Sequence, residues 1–225
     1  MAKMGYGYGS ECHLLRYLGR HRDLLDARVR KVVGAWEVHW LDFEFDPAKE
    51  WPDVEWAGLD FLPTESLART AWQGFWPQRG TPPNWDAVGQ VTIDGRLEWL
   101  LVEAKAHLEE LQSSCTAMEE GGRPTILAAM EATKRALGVP TDRDWLTGYY
   151  QYCNRLAILH FLNGHDVPAR LLLIYFFGDK VPGRECPKDQ EEWTNAIRAQ
   201  AAHVGLPEYH PLIDRIHTLF LPVAS

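Results

Sequence analysis

Residues 85–106 read WDAVGQVTIDGRLEWLLVEAKA. Two runs rich in β-branched and aromatic residues, 85–93 and 97–106, meet at Asp94-Gly95, a dipeptide suited to the positive φ angles of a two-residue type I′ turn. The stretch is therefore expected to form a β-hairpin. So short a loop also sets the register: Ile93 faces Arg96, Val88 faces Leu101, and Asp86 faces Glu103. Directly opposed side chains have Cβ atoms about 4.5–5.5 Å apart, and like charges so placed destabilise a sheet. A cation is expected in the gap. Lys105, two residues beyond Glu103, projects from the same face and can reach it. Because Leu100, Leu101 and Val102 lead straight into Glu103, these charges should sit at the edge of a core, where they need partners or a metal.

Two carboxylates and a main-chain carbonyl suit a hard cation such as Mg²⁺ or Mn²⁺, which prefers oxygen ligands and keeps several waters. Such an ion lowers the pKa of a bound water and shields a phosphate, while a lysine beside it can orient the nucleophile or balance developing charge. These are the needs of phosphodiester hydrolysis. The competing reading of the same spacing is a surface ion cluster, with Asp86 capping its strand and Glu103 paired to Lys105 or to an arginine.

Outward from the hairpin, the N-terminal side begins with Ser10, an N-cap candidate, ahead of a helix starting at Glu11 with Leu14, Leu15 and Leu18 at helical spacing. A second helix spans 23–33 and ends at Gly34, and a strand covers 37–45. Residues 46–83 carry prolines and tryptophans without a sustained period, an aromatic-packed insertion with one short helix over 65–75. On the C-terminal side the pattern is helical and polar from His107 to Gly122, then helical over 125–137 and 142–162. The segment ARLLLIYFF, 169–177, is apolar enough for a strand covered on both faces. A helix over 188–203 and a short strand over 218–223 form a C-terminal addition, 178–225. The sequence predicts one α/β domain over 1–225.

Composition narrows the function. The formal charge of −8 and pI near 5.6 exclude a broadly basic nucleic-acid-binding surface, so any such contact must be local. Arg16, Arg20, His21, Arg22, Arg28, Arg30 and Lys31 could supply a basic patch or form a solvated helix face. Cys12, Cys115, Cys153 and Cys186 form no CxxC pair, the histidines have no HxxxH spacing, and no serine stands in a G-x-S-x-G setting. Zinc and nucleophile-elbow chemistry are disfavoured, and a cytoplasmic protein without a membrane span is expected.

Asp86, the hairpin, and Glu103-Ala104-Lys105, with a Glu-bearing helix before them and helices and an apolar strand after, resemble the PD-(D/E)xK nuclease superfamily. The resemblance covers roughly 10–177 and rests on four or five residues. Asn84-Trp85 stand where a proline often precedes the aspartate, with Pro82 and Pro83 slightly earlier. The resemblance implies a restriction-endonuclease-like fold, a central mixed sheet flanked by helices in the order helix, three strands, helix, strand. It implies that Asp86 and Glu103 bind Mg²⁺ or Mn²⁺, that Ala104 offers its carbonyl, and that Lys105 assists the attacking water. Glu11 resembles the acidic residue many members place on the first helix, although it equally suits the positive end of a helix dipole. Gln151, Asn154 and Arg155 resemble a polar motif on a later helix. Gln151 and Arg155 share one face and could hold a substrate phosphate, brace Lys105, or tie the helix to its neighbours. The implied activity is a metal-dependent nuclease or related phosphodiesterase acting on nucleic acid, as a possible homodimer. The alternative is a catalytically silent scaffold or protein-binding module with the same fold.

Overall fold

The computed structural model describes residues 8–41 and 55–224. Chain order is α1 (Ser10–Arg20), α2 (Arg22–Val33), β1 (Glu37–Trp40), β2 (Trp56–Ala57), α3 (Leu67–Phe75), β3 (Asn84–Trp85), β4 (Ala87–Ile93), β5 (Arg96–Lys105), α4 (Arg123–Leu137), α5 (Tyr150–Gly164), β6 (Ala169–Phe177), α6 (Gln190–Val204) and β7 (Ile216–Pro222). The remainder of the strand expected to reach Phe45 and the first part of the 46–83 insertion lie outside the described residues.

Five strands form one mixed sheet in the order β1-β4-β5-β6-β7. β1, β4 and β5 run antiparallel, whereas β6 lies parallel to β5 and β7 parallel to β6. The hairpin has the expected register, with Ile93 opposite Arg96 and Val88 opposite Leu101. Asp94 and Gly95 take φ of 50° and 73°, as a type I′ turn requires. The C-terminal residues complete the sheet, since β7 pairs along β6 from Leu171 to Phe177.

Alternation along the strands divides the core in two. Leu100, Val102 and Ala104 of β5, with Leu172, Ile174 and Phe176 of β6, pack beneath Leu14, Leu18, Leu25 and Val29 of α1 and α2. On the other face Leu101, Leu171 and Leu173 meet Leu156, Ile158 and Leu159 of α5, Met130 of α4 and Trp193 of α6. The insertion joins this second layer. Its Trp72 stacks on Trp76 (5.6 Å, 9°) and meets Phe161 edge-on at 5.2 Å. β2 and β3 make a separate two-stranded ribbon beside it.

Several expected boundaries move, each for a local reason. Gly9, at φ 93°, occupies the cap position of α1, and the Ser10 hydroxyl instead donates to Glu110 at 3.0 Å. The helix expected over 107–122 is reduced to a 3₁₀ turn, Leu108–Leu111. The helix expected from residue 142 starts at Tyr150. Asp144 accepts from the Leu146 and Thr147 amides and the Thr147 hydroxyl, and Gly148 follows at φ 76°, so side-chain capping and a left-handed residue hold a turn there. α6 begins at Gln190 because Asp189 accepts from the Glu191 and Glu192 amides. No helix among the described residues is long and apolar enough to cross a membrane.

Candidate functional site

Glu103 and Lys105 lie at the C-terminal end of β5, on the face covered by α5. Asp86 occupies the bend between β3 and β4. There its Oδ2 accepts from the Ala104 amide at 2.6 Å, so the aspartate is fixed to the segment that carries Glu103. The residue expected to offer a carbonyl, Ala104, thus contributes its N–H to the site.

The gap beside Glu103 is filled by the protein's own cations. Lys105 Nζ donates to Glu103 Oε1 at 2.5 Å, and Arg155 approaches Oε2 through both Nε and Nη2 at 2.8 Å. Arg155 is 3% exposed and is itself held on every side. Nη1 donates to Asn154 Oδ1 at 2.7 Å, Nη2 donates to the Asn84 carbonyl, and the guanidinium lies 4.8 Å from the Trp85 ring centroid. Gln151 Oε1 accepts from Lys105 Nζ at 2.9 Å. Of the roles weighed for the α5 residues, Gln151 braces Lys105, Arg155 pairs with Glu103, and Asn154 supports Arg155.

Electrostatics separate the two carboxylates. Burial works against the Glu103 charge, but Arg155 and Lys105 outweigh it and hold its pKa below the usual range. Burial also disfavours the Lys105 ammonium, yet Glu103 and then Asp86 outweigh it and raise its pKa. Lys105 is therefore a fixed positive charge at neutral pH. Asp86 goes the other way: burial first, and the Glu103 charge second, push it up to about 8 despite Lys105, the Ala104 amide and Arg155.

Two spaces adjoin these groups. A cleft of about 620 Å³ opens at Asp86 and reaches Arg79, Asn84, Tyr150, Gln151, Asn154 and Arg155. Glu103 and Lys105 line a chamber of about 20 Å³ behind it, room for roughly one water, and Gln151 and Arg155 border both spaces. The donor chemistry fits a hard cation in kind. Among the described residues, the Asp86 carboxylate has only the Ala104 amide as a hydrogen-bond partner, and Glu103 Oε1, holding Lys105 alone, retains one lone-pair direction. Both atoms are oxygens, and an added positive charge would let Asp86 ionise.

Glu11 is half-buried in the first turn of α1, which packs on the opposite face of the sheet. No group of three or more His, Cys, Asp or Glu side chains among the described residues is arranged to hold a metal, so Glu11 does not join Asp86 and Glu103 in such a cluster. The carboxylate that does border Lys105 is Glu110, missed in the sequence. It accepts from the Ala106 amide at 2.5 Å and the His107 amide at 3.3 Å, and lines the small chamber. Its signal was the Glu109-Glu110 pair directly after the strand, obscured by reading that segment as a long helix. His107 pairs with Glu109 at 3.0 Å, and His13 lies buried 3.0 Å from Asp179. The basic residues 16–31 belong to α1 and α2, the helical layer across the sheet from the cleft. No family model, curated protein or solved structure matches this chain.

Proposed function

We propose that the protein is a divalent-metal-dependent nuclease or related phosphodiesterase of the PD-(D/E)xK type. The observation that carries this reading is the joining of Asp86 to Ala104 beside Glu103 and Lys105, which gathers two carboxylates and a fixed ammonium at one strand end beside an open cleft. The strand order β1-β4-β5-β6, antiparallel and then parallel, supports the restriction-endonuclease-like arrangement that the motif implies.

When bound between Asp86 and Glu103, Mg²⁺ or Mn²⁺ would supply a water of lowered pKa and a counter-charge for a phosphate oxygen. The Lys105 ammonium, held by Glu103 and Gln151, is placed to orient the nucleophile and balance negative charge. Gln151 fixes the ammonium. Arg155 and Gln151 line both the chamber beside Glu103 and the cleft beside Asp86.

The test is metal-dependent cleavage together with Mn²⁺ calorimetry. Wild type should hydrolyse a DNA or RNA substrate only with Mg²⁺ or Mn²⁺. Lys105→Ala should lower the rate on the order of 10²–10³-fold, the usual cost of removing one electrostatic stabiliser, while still binding Mn²⁺. Absence of metal-dependent cleavage of any nucleic acid would remove the proposal's main support. One observation favours the second reading, a catalytically silent scaffold: both Glu103 oxygens already hold protein cations. Mn²⁺ binding that disappears in Asp86→Ala supports the enzyme, and no Mn²⁺ binding by wild type supports the scaffold.

A further inference from the structure

We infer that the cleft beside Asp86 admits an unpaired nucleic-acid strand and excludes a duplex, an inference that rests on the phosphodiesterase reading. Its walls are residues 76–84 of the insertion and residues 115–122 of the segment before α4. These walls touch. A Cβ built on Gly122 would lie 2.9 Å from Pro77 Cγ and 3.0 Å from Pro77 Cβ, so the close approach of the two walls depends on glycine at this position. The space, about 620 Å³, is small beside a duplex, whose major groove alone is about 12 Å wide. It lies within the range of about 300–1,000 Å³ typical of small-ligand pockets, enough for a short stretch of one strand.

The chemistry of the lining agrees with the size. Among the described residues the charged groups in the cleft are Glu55, Arg79, Asp86 and Arg155, and Arg155 is engaged by Glu103. Arg79, exposed at the rim, is left for a phosphate. A protein gripping a duplex neutralises about 6–10 phosphates, which a single rim cation cannot approach. The rest of the lining offers flat or apolar surface at Pro82, Pro83, Ala117, Met118 and Tyr150, with Met118 71% exposed. Such surfaces accept base faces, the mode by which single strands are held with little sequence preference.

Fluorescence anisotropy in Ca²⁺ buffer tests the inference, using a short labelled oligothymidylate and a blunt duplex of the same length. Hydrolysis of bis(p-nitrophenyl) phosphate with Mn²⁺ reports the chemistry separately. The oligothymidylate should bind wild type about tenfold or more tighter than the duplex. Arg79→Ala should weaken that binding and flatten its logarithmic salt slope by about 0.7, the loss of one phosphate contact. Pro77→Gly, which removes the ring at that contact, should narrow the discrimination. Equal or tighter binding of the duplex by wild type overturns the inference. Failure to bind either probe while the small diester is hydrolysed also overturns it and leaves the phosphodiesterase reading standing. Single-strand binding without hydrolysis of any diester upholds the cleft and removes the enzyme.

Discussion

β5 carries two buried glutamates, each held by two cations, at opposite ends and on opposite faces. Glu98, toward its start, shares the α1/α2 face with Leu100 and Val102. It accepts from Arg170 at 2.6 Å and Arg215 at 3.1 Å, and those arginines are tied further to the Asp214 and Ala169 carbonyls. Glu103, near its end, faces α5 and is held by Arg155 and Lys105. The first set has one carboxylate for two arginines and joins β5, β6 and the approach to β7. The second set has two carboxylates for two cations, but burial and the neighbouring Glu103 charge disfavour ionisation of Asp86, and a cleft reaches it. A buried carboxylate held by two arginines is sufficiently explained as a staple. One in which a carboxyl group is pushed up to about 8 gains from an added cation, and that difference separates the candidate site from ordinary structure.

The largest expected effect comes from removing the cation that Glu103 depends on most. Arg155→Met retains much of the side-chain volume but leaves a buried carboxylate without its bidentate partner, and breaking such a pair costs about 3–5 kcal/mol. Chemical denaturation should show that loss near neutral pH. Glu103→Gln in the same background should recover part of it, because the unpaired charge is then gone. If Arg155→Met alone changes stability by under ~1 kcal/mol, water reaches Glu103 and the two clusters are not alike in burial.

A smaller effect separates Asp86 from both glutamates. Its folded pKa is raised above the unfolded value of about 3.9, so its contribution to stability is fully present below about pH 4 and is lost as pH rises through about 8. In metal-free buffer Asp86→Asn keeps an acceptor for the Ala104 amide and has no charge to bury. The variant should match wild type at about pH 4 and below and exceed it progressively up to about pH 8. Because Asp86 lines the cleft and solvent screens it, the gain should be on the order of 2 kcal/mol. Thermal melts across that range check it, and a difference independent of pH would show that Asp86 is ionised throughout. With Mn²⁺ present the order should reverse, since the ion stabilises only a chain that binds it.

Much of this arrangement was legible in the sequence because it follows from local rules. Asp94-Gly95 set the hairpin register, and with it the placement of Glu103 and Lys105 on one face. The apolar run 169–177 marked β6, and Gly34 and Gly138 marked the ends of α2 and α4. The cation expected between the carboxylates was also readable in kind, but its identity was not. Arg155 meets Glu103 across 52 residues through the fold of α5 onto β5, and its remaining contacts, Asn84 and Trp85, come from the ribbon strand beyond Asp86. No period or spacing encodes such a meeting. Glu11 lies in the first turn of α1, and no group of three metal-holding side chains among the described residues includes it. Glu110 was hidden because a 3₁₀ turn and a helix share their polar pattern over four residues.

The smallest effect tests the comparison from its other end. Glu98→Gln keeps an oxygen acceptor for Arg170 and Arg215, and both arginines retain backbone carbonyls, so the loss is of charge assistance alone, about 1 kcal/mol. Arg215 is also partly exposed, which weakens its share. Metal binding and phosphodiester cleavage should be unchanged, since Glu98 sits at the far end of β5 and lines neither the cleft nor the chamber behind it. The same substitution at Glu103 should abolish Mn²⁺ binding. If Glu98→Gln lowers metal affinity as Glu103→Gln does, the ion is not held at the end of β5 and the distinction between staple and site fails. If neither substitution alters it, any bound ion lies elsewhere, and the cluster around Glu103 is a second staple.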